Sequence, residues 1–286
     1  MNPGSLSFVI VAIVAYAIAA LLSFVSVGRG KTAATWPQLT LAIAAVLSQT
    51  VGLGVHCATS TTHYFTSPME ILWLLSWAVG INYVLILAAW RIVGLGVLVL
   101  PLNVALLAAS IFSRYPGPAP FGALDLHPFY PPHVLLAFLG YGFFLSACAI
   151  SILYLRAERL LKHKLFGAVF HGIPSLERLE RTAGRCVLAG FGFFTLALVL
   201  GGYLAHAHGV SSWFLHPKML AAEITWLVFL TLIVGRATGR LIGRLAAQSV
   251  LVGAALVALT IVLGHPLEVD EDHETPPTGT REQLRP

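Results

Sequence analysis

Apolar residues in this chain come in long blocks separated by short polar joints. Eight blocks are long enough to cross a bilayer as helices: 6–27, 36–55, 69–89, 92–112, 133–155, 185–206, 219–234 and 246–264. Runs of about 18 or more apolar residues are the signal for spanning helices, because an α-helix needs about 20 residues to cross the hydrocarbon core. The expected fold is therefore an all-α integral membrane protein, a polytopic bundle of about eight transmembrane helices. The third and fourth blocks are parted only by Trp90-Arg91, which predicts a tight turn. The first block has no Lys or Arg before it and Arg29 and Lys31 after it, so it is read as a retained helix and not a cleaved signal.

The joints differ in character. Residues 151–164, SILYLRAERLLKHK, continue the fifth block with mixed basic and apolar positions. Ser175 is a plausible N-cap for SLERLERTAGR, and 151–185 as a whole predicts a basic amphipathic hairpin lying on the inner leaflet, whose anionic lipids attract such charge. The joint SRYPGPAPFGALDLHPFYPPH is rich in proline and aromatics and poor in charge, unlike a flexible linker. It suits a loop lying along the membrane or over an apolar ligand. From 268 the chain is acidic and proline-containing, EVDEDHETPPTGTREQLRP, and reads as a disordered tail after a single membrane domain, 1–267.

Composition agrees: 57% of the 286 residues are hydrophobic and 10% charged, too apolar for a water-soluble surface. The net charge of +5 does not imply nucleic acid, because it resides in the joints. With the amino terminus outside, thirteen of the seventeen Lys and Arg fall on inner joints and only Arg114, Lys218, Arg281 and Arg285 outside. The positive-inside rule then puts both termini outside. Cys57, Cys148 and Cys186 form no CxxC; Cys148 and Cys186 are read as small core residues, and Cys57, at an outer helix end with no second outer cysteine, as lacking an intrachain disulfide.

Histidine is distributed differently. With that orientation only His163 and His171 lie inside, whereas His56, His63, His127, His133, His206, His208, His216, His265 and His273 lie at or beyond the outer ends. Neutral imidazole does not obey the positive-inside rule, so this bias points to a ligand site on the outer face. Imidazole is a good ligand for iron, copper or zinc. The densest cluster is GGYLAHAHGVSSWFLHPKMLAAEITWLVF, which gathers His206, His208, Trp213, His216, Glu223 and Trp226 between the sixth and seventh blocks. His133 opens the fifth block after two prolines and His265 closes the eighth. Were those blocks neighbours, the pair would suit iron in a planar macrocycle, which takes axial ligands on opposite faces. Glu70 and Glu223 stand near helix starts, where a carboxylate is favoured by the helix dipole. Asn82 and Asn103 are read as interhelical hydrogen-bonding groups, and Gly190, Gly192, Gly201 and Gly202 as close-packing points. There is no GxSxG, P-loop or HExxH, so no catalytic residue is expected.

Several segments carry a family resemblance. They are His133-Val134 with Gly140-Tyr141-Gly142; Leu153-Tyr154-Leu155 through Glu158 to Leu161-Lys162; Pro174 to Arg181 with Gly190-Phe191; Pro217-Lys218 with Ile224 to Phe229; and, more weakly, His63 to Glu70. Together they resemble the cytochrome c assembly family of membrane proteins, the CcsA/CcmC/HemX group, over roughly 53–265. The likeness is greatest to the HemX-like branch. The family's tryptophan-rich stretch falls on GVSSWFLHPKM, where Trp213, Pro217 and Lys218 match and His216 stands in place of aspartate. The resemblance implies a bacterial inner-membrane protein that handles b-type, non-covalently held haem on its extracytoplasmic face. It implies His133 and His265 as axial ligands and Trp213 as a stacking wall, with His206, His208 and His216 as further donors. Implied partners are haem, membrane lipid, an accessory cytochrome c biogenesis protein and apocytochrome c. At most the chain would be part of a haem-attachment system. Two rivals remain: a HemX-like membrane regulator of the level of a haem-synthesis enzyme, which binds no haem, and a transporter permease subunit with the histidines on a divalent metal.

Overall fold

The structure, a computed structural model, describes residues 3–31, 35–59, 67–113, 127–164, 174–207, 215 and 217–263. Among these residues it is all helical. In chain order the helices are α1 (Pro3–Gly28), α2 (Trp36–Thr59), α3 (Pro68–Trp90), α4 (Val93–Phe112), α5 (Tyr130–Lys162), α6 (Leu176–Ala207), α7 (Pro217–Ala237) and α8 (Gly243–Leu263). All eight are long and apolar enough to cross a membrane, as the block pattern predicted. The protein is a multi-pass membrane protein. The acidic tail from 268 lies outside the described residues.

The helices pack as two groups. Helix α1 lies against α2 and α4, and α3 against α2 and α4; α5 lies against α6 and α8, and α7 against α8 and α6. Contact of α3 with α5 joins the groups. In hydrocarbon nothing apolar is gained by pressing one leucine face on another, so such joints depend on close backbone approach and on hydrogen bonds. Both are present where α3 meets α5. Asn82 Nδ2 donates to the carbonyl of Leu139 at 3.4 Å, and Gly142 lies so near α3 that a Cβ there would stand 2.6 Å from Asn82 Nδ2 and 2.9 Å from the Ala78 carbonyl carbon. Asn103, also read as an interhelical group, accepts from Ser76 Oγ at 3.0 Å, and Gln49 Nε2 donates to the same hydroxyl at 3.4 Å. That set ties α2, α3 and α4 together.

Local chemistry sets several helix ends. Ser67 and Glu70 form a reciprocal capping box at the start of α3. Helix α3 ends at Trp90, Arg91 takes a left-handed conformation (φ 51°, ψ 38°), and α4 starts two residues later. The tight turn is therefore real. A left-handed residue after a helix is a usual way to stop it and reverse the chain.

One expectation is corrected. The stretch 176–185 does not form a separate helix lying on the leaflet. It is the beginning of α6, which runs unbroken over 32 residues. Its pattern is amphipathic because Leu179, Thr182 and Ala183 are buried in the bundle while Glu177, Arg178 and Arg181 are exposed. Residues 151–162 do continue α5 as expected. A smaller correction concerns Gly192, where a Cβ would meet nothing within 4 Å, so it is no packing point.

These contacts predict opposite outcomes for two similar changes. Gly142→Ala forces a methyl against the α3 backbone and is expected to destabilise by about 1–3 kcal/mol, read as a lower midpoint of thermal unfolding in detergent. Gly192→Ala should leave that midpoint unchanged or raise it slightly.

Candidate functional site

Of the described histidines, His56, His127, His133 and His206 lie at one end of the bundle, at helix ends that alternate with those carrying the arginines, and His163 lies at the other. His133 sits in the first turn of α5, entered through Pro131 and Pro132. Proline suits a first turn, where its missing N–H has no partner to lose. The ring of His133 is half-buried and rests on α6. Its Nδ1 is 2.8 Å from the carbonyl oxygen of Ala197. A carbonyl only accepts, so Nδ1 carries the proton and donates it, and in the neutral ring the lone pair is on Nε2. A ring held in this way, with one nitrogen on a carbonyl, is how ligating imidazoles are commonly oriented.

Gly201 makes this docking possible. It is one helical turn beyond Ala197, and a Cβ at that position would stand 2.7 Å from Cε1 of His133. The space a side chain would fill is occupied by the imidazole.

His133 also lines a cavity of about 120 Å³. Five helices contribute: Ile71 from α3; Tyr130, Ala137 and Tyr141 from α5; Leu198 from α6; Met219 and Ala222 from α7; Thr260 and Ile261 from α8. The lining is mostly apolar. The start of α5 and the end of α8 therefore do meet, the condition set for pairing His133 with His265. His265 itself lies outside the described residues, as do His208, Trp213 and His216. His206 is exposed on the last turn of α6 and does not line the cavity. Trp226 is not an interfacial residue of the mouth: its indole N–H donates to Thr195 Oγ1 at 2.9 Å and its ring stacks on Phe191. Of the proline-rich joint, 113 and 127–133 are described. His127 and Phe129 pack on Tyr203 of α6 with ring centroids 6.2 and 5.9 Å away.

The sequence reading missed one pairing. Nε2 of His56, at the end of α2, meets Oε1 of Glu70 at 2.8 Å, and both side chains are largely buried. The other carboxylate oxygen accepts from the Ser67 backbone N–H at 3.1 Å. The His56 ring also packs on Trp73, centroid to centroid 5.8 Å. Glu70 immediately precedes Ile71, which lines the cavity, so the pair adjoins the cavity along α3. Each residue has a local explanation at a helix end, and nothing in the linear pattern shows that those ends adjoin. Among the described residues, no three His, Cys, Asp or Glu side chains converge as a metal group.

A bundle of eight spanning helices, with an imidazole docked at the rim of an apolar cavity, defines a class that the comparisons then specify. The chain belongs to the family described as cytochrome C assembly protein, whose profile matches residues 66–264. That membership supports a role in cytochrome c biogenesis. The chain is also similar to a protein called Protein HemX from Brevibacillus brevis, 29% identical over 97 residues. The shared stretch covers 34% of this chain and 36% of that protein, about a third of each.

The His56–Glu70 pair predicts an asymmetric pair of variants. His56→Ala removes the imidazole from a largely buried carboxylate that keeps only its Ser67 contacts, and should cost about 1–3 kcal/mol, the range for a lost buried hydrogen-bond partner. Glu70→Gln retains a side chain able to complete the capping box and should cost less. Thermal unfolding in detergent of both variants beside the wild type checks the order.

Proposed function

We propose that this protein handles haem in cytochrome c biogenesis, holding it non-covalently at the histidine end of the bundle with His133 as an axial ligand. The observation that supports this most is the His133 ring itself, oriented by the Ala197 carbonyl and seated in the gap left by Gly201. When bound, haem supplies an iron centre in a flat apolar macrocycle. The chain's residues suit such a group. Ala137, Leu198, Met219 and Ile261 offer an apolar wall beside the imidazole, and haem iron needs only one or two protein ligands. A bare zinc ion takes three or four.

The cavity is smaller than the roughly 300–1,000 Å³ of pockets that enclose drug-sized ligands. A cavity of this size would take part of a haem beside the His133 imidazole and would not enclose the macrocycle. The remaining contacts fall to Trp213, His208, His216 and His265 in this reading. His265 is four residues beyond Ile261, within about 14 Å of chain at full extension, so it is within reach of the cavity. His206 is a donor at the rim at most. The charge bias supports an orientation with the histidine end and both termini on the extracytoplasmic side, and the family supports a bacterial inner membrane as its setting. In that setting the partners are an accessory biogenesis membrane protein and apocytochrome c.

The second reading is a HemX-like membrane regulator of haem-synthesis enzyme level that binds no haem. Purified protein titrated with haem distinguishes the two. The first reading expects a Soret band, loss of that band in His133→Ala, and affinity about 10–100-fold weaker in Gly201→Ala, the range for disturbing a residue that orients a ligand. Absence of any Soret band after haem addition would leave the second reading in place.

A further inference from the structure

At the end opposite His133, we infer that the cleft between the start of α6 and the end of α3 is a binding site for the phosphate of an anionic phospholipid. The cleft holds about 290 Å³ and is lined by Trp90, Arg178, Arg181, Thr182 and Arg185, with Glu177 as its one carboxylate. The three guanidinium groups are spaced i, i+3 and i+7, so they share one face of α6.

Two of them are held in place by Trp90. Arg178 Nη2 donates to the Trp90 carbonyl, one of the carbonyls that a helix end leaves without an internal partner. The Arg185 guanidinium lies over the Trp90 ring, 5.5 Å from its centroid. Guanidinium carries five donors in a fixed fork, so the bond from Arg178 to Trp90 uses a fraction of its capacity. Forked donors on a planar cation match phosphate oxygens well. Arg181 pairs with Glu177 one turn away, which offsets the only negative charge in the lining.

Depth identifies the source of the phosphate. At about 1.5 Å per residue, the 32 residues of α6 span about 48 Å, against about 30 Å of hydrocarbon. Its charged residues all precede Cys186, and no Lys, Arg, Asp or Glu follows until Lys218. The surplus length therefore emerges at the arginine end and carries the cleft into the headgroup layer. Trp90 closes a spanning helix at the same level, the position where indole is favoured. A soluble phosphate compound has no need of that depth; a lipid phosphate is already there.

The test uses the full chain in detergent, with lipid retention read by native mass spectrometry and thermal unfolding read in parallel. Phosphatidylglycerol should be retained and should raise the unfolding midpoint, and phosphatidylcholine should do neither. Arg181→Gln and Arg181→Gln/Arg185→Gln should cut phosphatidylglycerol retention at least fivefold. Arg181 makes only an exposed pair, so the first variant keeps the fold. Arg159→Gln/Lys162→Gln, at the same end but in the neighbouring cleft between α5 and α8, should retain it. Equal retention by the Arg181 variants overturns the proposal. So does equal loss in the α5 variant, which would indicate diffuse charge, and so does an equal stabilisation by inorganic phosphate alone.

Discussion

Close approach of α5 to α6 is the constraint on which the rest of this molecule depends. Along the seam, a Cβ on Gly140 would press on the Gly190 carbonyl at 3.1 Å, one on Gly190 would meet Phe144 at 2.9 Å, and one on Gly201 would meet the His133 ring. Where no side chain intervenes, aromatic rings fill the space. Phe144 stacks on Phe229 of α7 with centroids 3.6 Å apart, and Tyr141 packs on Phe194. In lipid, where dispersion and shape take the place of hydrophobic expulsion, this seam acts both as the cohesion of the second helix group and as the mould for the imidazole. Stability and the placing of the imidazole are therefore one property here, and a change that widens the seam moves the His133 ring too.

The two ends of the bundle divide the chemistry. At one end are an oriented histidine, an apolar cavity and the largely buried His56–Glu70 pair. At the other are arginines engaged with tryptophans and carbonyls: Arg91 over Trp36, Arg185 over Trp90, Arg236 donating to the Glu180 carbonyl at 2.8 Å. Between them the hydrogen-bonding groups are uncharged, chiefly Gln49, Ser76, Asn82 and Asn103. Charge in mid-membrane is expensive and amide or hydroxyl groups much less so, so the bundle keeps its ionised groups at its rims.

The fold was largely legible because spanning helices announce themselves by composition and length, and neither property depends on what each helix touches. What failed was local. The stripe over 176–185 fits a surface helix as well as a buried one, because burial against a bundle and burial against a leaflet give the same pattern; Leu179 and Ala183 look alike in either setting. Gly192 fits a packing point in sequence because a lone letter does not say which way its helix face turns. The site was legible in half. His133 could be chosen from its place after two prolines and from the family likeness. Its hold on Ala197 and its need for Gly201 are relations between helices, which no local pattern encodes. The same is true of His56 and Glu70.

Glu180 adds something of its own. Its carboxylate accepts the backbone N–H of Gly243 at 2.7 Å, at the first residue of α8, while its carbonyl takes Arg236 from the end of α7. Sliding an apolar span along its own axis carries its ends out of their layers, so tilting is the cheaper response in lipid. The Glu180 anchor ties the near end of α8 to α6, which leaves inclination as the way its far end can shift relative to His133. A ligand gripping both would then register as a change in helix inclination, and the anchored joint would serve as the pivot.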